Sequence, residues 1–235
     1  MFNNALFATG PINSNHPGVN IQGDVESGST VTDRNPPRIS GSIKRNSDRS
    51  FTAVTLPNSA TMLWRSTLAV ENNRSVNAEP NAHYGTITVA PNGKLLIDSG
   101  NSGDRIVIMV DTIVADGEII VSGQGSVILY VRNSGEFKGT AQTSQAAVFL
   151  ILLGSGASFN VQTSGSTLDA YIYGPNGTVT MSANATVRGS IVANSMPSTS
   201  NYNILYKEFP DLDGLNIDEF LASISPTIIQ RLRWR

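Results

Sequence analysis

The feature that most constrains this chain is a series of strand-sized apolar runs between Tyr84 and Met196, each bounded by Gly, Asn, Ser or Asp. They include Thr86-Ile87-Thr88-Val89, Lys94-Leu95-Leu96-Ile97-Asp98, Ser158-Phe159-Asn160-Val161 and Thr178-Val179-Thr180-Met181. Each run is rich in β-branched residues with turn formers on both sides, the pattern of short strands. Several can be laid over one another. Phe159 and Val179 are 20 residues apart; Leu168 and Val187, like Ile172 and Ile191, are 19 apart. Upstream, Leu95 and Ile119, and Ile97 and Val121, are 24 apart. A period of roughly 20 residues with two or three strands in it is what one coil of a β-solenoid needs. The continuous apolar runs Arg105–Val110 and Ala147–Leu153 suit parallel strands buried on both sides, so something must cover their outer face. An antiparallel sandwich fits less well. Its hairpin dipeptides are sparse, Asn92-Gly93 and Asn176-Gly177 being the two that qualify, and a sandwich gives no reason for neighbouring segments to resemble each other.

The expected architecture is all-β: a single-stranded parallel β-helix with right-handed coils, a long packed insertion and a short C-terminal helical cap. One domain covers 1–235. Residues 5–32 form a first coil, 33–83 an insertion packed along the solenoid, 84–206 the main coils and 207–235 the cap. The insertion carries Pro36, Pro37, Pro57 and Pro80 but also Phe51, Val54, Leu56, Met62, Trp64 and Leu68, too apolar for a free linker. A short helix is expected around 60–70. In the tail, Ile217, Phe220, Leu221 and Ile224 follow i, i+3, i+4, i+7 spacing, with Asn216 and Glu219 as a capping box.

Charge excludes some roles. Only 14 % of residues are charged and the net charge is −2, so no strong field draws nucleic acid or a membrane. Cysteine is absent, which rules out disulfides and thiolate chemistry. No apolar run spans a bilayer, and the opening Met1–Ala8 lacks the basic start and apolar stretch of a signal peptide. The expectation is either a cytoplasmic protein or a soluble part whose anchor lies outside this sequence.

Candidate chemistry is thin. Asp98, Asn101 and Asp104 make an oxygen-rich loop for calcium, without EF-hand spacing; a polar turn is the plainer reading. Asp211-Leu212-Asp213-Gly214 is a second such loop. Tyr130, Tyr171 and Tyr173 stack as a ligand-binding stripe or fill the core. Arg34, Arg38, Lys44, Arg45 and Arg49 offer contacts to nucleic-acid phosphates, diluted by nearby acids. Asp169 and Arg188 occupy matching positions on successive coils and would pair. His16 and His83 are the only histidines and have no partner motif. No catalytic motif, cofactor fingerprint or metal set emerges, so no enzyme activity and no cofactor are expected.

The stretch Gly154-Ser155-Gly156-Ala157-Ser158-Phe159-Asn160-Val161, continuing through Tyr171-Ile172-Tyr173-Gly174-Pro175-Asn176, Val179-Thr180-Met181-Ser182-Ala183-Asn184 and Gly189-Ser190-Ile191-Val192-Ala193, resembles the β-solenoid domain of PilX-like type IV pilus-associated surface proteins. Gly10-Pro11-Ile12-Asn13 to Gly23-Asp24-Val25 is similar to that family's opening coil. The resemblance covers 5–32 and 84–206. It implies a non-enzymatic structural or adhesion protein of the bacterial cell surface, with other pilus or surface proteins as partners and polysaccharide or DNA as further ones. A weaker similarity is to bactofilins, which implies a cytoplasmic cytoskeletal polymer. A carbohydrate-binding or carbohydrate-active β-helix is the third expectation.

Overall fold

The computed structural model describes residues 4–33, 38–144, 146–162, 165, 167–197 and 200–209. Their strand pairings are parallel throughout, in a parallel β-solenoid of about nine turns. The sequence offsets reappear as ladder registers. Leu95 pairs with Ile119 and Ile97 with Val121; Phe159 pairs with Val179; Leu168 pairs with Val187 and Ile172 with Ile191. Asn92, at φ 61, sits in a turn closed by the Gly93 amide on the Ala90 carbonyl, 2.9 Å; it turns a corner of the coil and makes no hairpin. Gly139 marks the same corner two coils on, where a Cβ would lie 1.6 Å from the Gly117 carbonyl oxygen of the coil before.

Each coil has three faces. On the first, strands stack in the order Leu63–Val70, Ala82–Val89, Arg105–Ala115, Ser126–Phe137, Val148–Leu153, Thr167–Met181, Ala185–Ser195, Leu6–Ala8, Val25–Ser27 and Ile43–Lys44. The N-terminal strands therefore do not begin the stack. Leu6–Ala8 pairs on one side with residues 191–193 and on the other with residues 25–27, so the 5–33 segment extends the far end. The stack begins instead inside the expected insertion, at Leu63–Val70 and Ser75–Asn77, which are solenoid strands. The helix expected around 60–70 is reduced to one 3₁₀ turn, Ser59–Thr61. The expected C-terminal helix and its capping box fall in residues 210–235, outside the described residues.

This order dictates what residues 45–62 do. They leave Ile43–Lys44 at one end and must reach Leu63–Val70 at the other. Nine ladder steps of about 4.8 Å make about 43 Å, and eighteen extended residues reach about 60 Å, so the segment runs nearly straight along the stack. It lies over the outer side of the first face. Phe51, Val54, Leu56 and Met62 pack on Phe7, Met109, Tyr130, Leu152, Tyr173 and Val192. The Phe51 and Phe7 rings are 4.3 Å apart. Val148–Leu153, which reads as apolar without alternation, is buried at every residue because one side faces the interior and the other faces this cover; of Arg105–Val110, the second half is buried in the same way.

The cover is pinned where it starts. Glu26, only 5 % exposed, accepts from Asn4 Nδ2 at 2.7 Å, from Lys44 at 3.1 Å, from Arg49 at 3.2 Å and from Ser47. Burial alone would raise its pKa; the hydrogen bonds from Ser47, Lys44, Asn4 and Arg49 overcome that and hold it at about 2.

Candidate functional site

Among the described residues nothing covers the second face, and its composition differs from the first. Residues 67–70, 86–89, 112–115, 134–137, 158–161 and 178–181 lie in unbroken register through six coils. Alternation along each strand sends every second side chain inward. The inward columns are apolar, with Leu68, Ile87, Ile113, Phe159 and Val179 in one and Val70, Val89, Ala115, Phe137, Val161 and Met181 in the other. Gly135 interrupts the first column because a Cβ there would lie 2.4 Å from the Phe159 ring, which tilts against Phe137 at 5.3 Å.

The outward column beside them reads Thr67, Thr86, Thr112, Ser134, Ser158, Thr178 and then Ser195. Every rung is a hydroxyl. None of the seven is buried. Ladder spacing places successive rungs about 4.8 Å apart, and the branched Cβ of the four threonines restricts their χ1, so the array is regular. Two contacts run along it: Ser134 Oγ donates to Thr112 Oγ1 at 3.4 Å, and Thr178 and Ser195 hydroxyls lie 3.0 Å apart. The next outward column is Ala69, Thr88, Val114, Glu136, Asn160 and Thr180. Its one charge, Glu136, is neutralised by Lys138 at 3.3 Å, which also reaches Asp116 at 3.5 Å. These carboxylates, Glu136 foremost, raise the lysine's pKa, so it stays protonated.

The third face shows no such uniformity. Its outward rows mix Lys94, Glu118 and Thr140, or Leu96, Ile120 and Gln142. Lys94 and Glu118 pair at 3.0 Å. Asp169 and Arg188 meet in register at 2.7 Å, and Asp169 also accepts from Thr143 at 2.7 Å. The carboxylate is buried, which opposes ionisation, yet the Arg188 and Thr143 hydrogen bonds and Lys207 hold its pKa below the usual range.

The other candidates serve the scaffold. Asp98 Oδ1 accepts from the Gly100 amide at 3.0 Å and Asp104 Oδ2 from the Asn101 amide at 2.8 Å, so both carboxylates close a turn whose Gly100 and Gly103 adopt positive φ. Tyr130 and Tyr173 lie buried under the cover, and Tyr171, also buried, meets the Phe209 ring at 4.8 Å. Tyr173 donates to the Thr52 carbonyl at 2.5 Å and Tyr171 to the Glu208 carbonyl at 2.6 Å; burial pushes the phenols of Tyr130 and Tyr171 upward. Of the basic residues, Lys44 and Arg49 hold Glu26, Arg49 also lies over the Phe51 ring at 5.0 Å, and Arg45 donates to the Val31 carbonyl at 3.0 Å. Arg38 is half-buried, its amide on Asp33 at 3.0 Å. Arg34 and the loop Asp211–Gly214 lie outside the described residues. Sequence reasoning followed the apolar rows and missed the hydroxyl column, whose rungs are offset by 19, 26, 22, 24, 20 and 17 residues. The signal was present: a Thr or Ser opens the pieces Thr86-Ile87-Thr88-Val89, Ser158-Phe159-Asn160-Val161 and Thr178-Val179-Thr180-Met181.

Residues 20–209 match a family described as a domain of unknown function, DUF7305, and the chain belongs to that family. No curated protein matches the chain. Among solved structures, it is similar to an ice-binding protein from an Antarctic ascomycete, Antarctomyces psychrotrophicus, at 15 % identity over 88 % of this chain and 96 % of that one, TM-score 0.44. It is similar to an ice-binding protein from an Antarctic biological consortium, at 14 % identity over 86 % of each chain, TM-score 0.49. A third is the ice-binding protein LeIBP from an Arctic yeast, at 14 % identity over 88 % of this chain and 92 % of that one, TM-score 0.48. The expected pilus-associated adhesion function is corrected by this finding, as are its bactofilin-type and carbohydrate alternatives: the matched solenoids are ice-binding proteins.

Proposed function

We propose that the chain is a non-enzymatic, extracellular binding module whose working surface is the uncovered hydroxyl face, and that this face binds the surface of ice. The observation that carries the reading is the column from Thr67 through Thr86, Thr112, Ser134, Ser158 and Thr178 to Ser195. A surface that binds one small molecule concentrates polar groups at a point inside a concavity. Here the hydroxyls repeat along a line at a fixed ladder spacing, and a repeating row of donors and acceptors is complemented by a partner that also repeats. An ordered water lattice has that property, and a hydroxyl both donates to it and accepts from it. The methyl groups of the threonines add apolar contact between the hydroxyls. The one carboxylate in the neighbouring column carries its own lysine, so the face presents little net charge to be desolvated.

The test is uptake of the purified chain into slowly growing ice, with inhibition of ice recrystallisation in the same samples. Enrichment in the ice fraction relative to a neutral control protein supports the reading. Exclusion from the ice together with unhindered recrystallisation overturns it.

A further inference from the structure

One buried titratable group has no part in the hydroxyl face. His83 is 2 % exposed and belongs to the strand Ala82–Val89. Its Nε2 lies 2.9 Å from Asp111 Oδ1, and Arg132 Nη1 reaches the same oxygen at 3.5 Å. Its Nδ1 is buried with no hydrogen-bond partner. Trp64, its register partner on Leu63–Val70, stands edge-on to the imidazole, ring centroids 4.6 Å apart. Trp64 is 55 % exposed. Leu63–Val70 pairs with Ala82–Val89 on one side, and among the described residues no strand pairs with its other edge. The charged groups on the elements packed around His83 are Arg105 and Asp111 on Arg105–Ala115, Arg132 and Glu136 on Ser126–Phe137, and Arg65, which pairs with Glu79 at 2.8 Å.

We propose that His83, Asp111 and Trp64 form an acid-sensitive latch on the first coil. With Nε2–H donated to Asp111, the neutral ring leaves a lone pair at the dry Nδ1. A second proton adds there and creates a buried N–H donor with no acceptor, on a ring that is now charged. Asp111 offsets part of that charge, but Arg132 already draws on the same oxygen. The ring relieves the penalty by turning toward water, and Trp64 stands in that path. Displacing Trp64 loosens Leu63–Val70, which among the described residues has one ladder to hold it. Thr67 is on this strand, so acid would unseat the first rung of the hydroxyl column; that consequence rests on the reading of the hydroxyl face, whereas the latch does not.

The experiment uses the full chain with Trp234→Phe, leaving Trp64 as the only indole. Indole emission and the hydrogen-exchange protection of the Leu63–Val70 amides are followed over about pH 5–8, where a histidine changes charge. The latch requires emission to change along a single-proton titration and protection of these amides to fall about tenfold at the acid end while the amides of Val148–Leu153 hold theirs. His83→Gln abolishes both changes. Protection that is independent of pH, or the same titration in His83→Gln, overturns the latch. Ice uptake measured in parallel separates the two ideas: a chain that ignores ice at every pH defeats the hydroxyl-face reading and leaves the titration to decide the latch.

Discussion

The first and second faces of this solenoid share the same inner architecture and differ on the outside. Both send apolar columns inward. The first also sends apolar columns outward, through Met109, Tyr130, Leu152, Tyr173 and Val192, and hides them under residues 45–62. The second sends out hydroxyls, and the described residues leave it bare. The contrast separates two uses of one ladder. Outward apolar side chains gain stability only when something excludes water from them, at about 25 cal/mol per Å² removed from solvent. Outward hydroxyls are satisfied by water and would lose those hydrogen bonds if buried without partners, so a row of them is stable bare and is free to meet a partner. The cover makes the first face a second core; its absence makes the second face a surface.

Substitutions on the two sides should therefore diverge, and the largest effect belongs under the cover. Leu152, fully buried between sheet and cover, should cost about 2–5 kcal/mol as Leu152→Ala, read as a lower midpoint in urea. The pin of the cover comes next. Because Glu26 is held at about 2 against an ordinary 4.5, its contribution is complete above that ordinary value and disappears as the pH falls through about 2. The span corresponds to about 3 kcal/mol. Stability measured against pH should show this acid-side loss in the wild type and a flatter acid limb in Glu26→Gln. A smaller loss, about 1 kcal/mol, is expected for Tyr173→Phe, which removes the hydroxyl held by the Thr52 carbonyl; its check is faster hydrogen exchange in residues 49–56. On the bare face, Thr112→Ala should change the denaturation midpoint within about 0.5 kcal/mol. A cost there as large as that of Leu152→Ala would break the contrast.

How much of this was legible in the sequence follows from where the information lies. Leu95 with Ile119 and Phe159 with Val179 announce their registers because inward positions tolerate only apolar residues of matching size. The need for a cover could be read from Val148–Leu153, where alternation fails. The placement of Leu63–Val70 as the first coil could not, because five of its residues in a row, 63–67, are exposed at the end of the stack and dilute the pattern, and because Leu6–Ala8 joins the far end through pairings about 185 residues distant in sequence. The hydroxyl column escaped for a related reason. Corner loops of unequal length break the period, and Thr or Ser is as common in turns as in strands, so only the three-dimensional register lines the rungs up.

The account stands or falls on whether the bare face binds without holding the fold. Thr112 lies near the middle of the column, and Thr112→Lys places a long hydrated cation there. Thermal unfolding and uptake into growing ice, measured on this variant beside the wild type, give the most direct test. The prediction is an unfolding curve that overlays the wild type and an ice fraction depleted of the variant. Equal uptake of the two proteins, or a variant that loses uptake only because it unfolds, would contradict it.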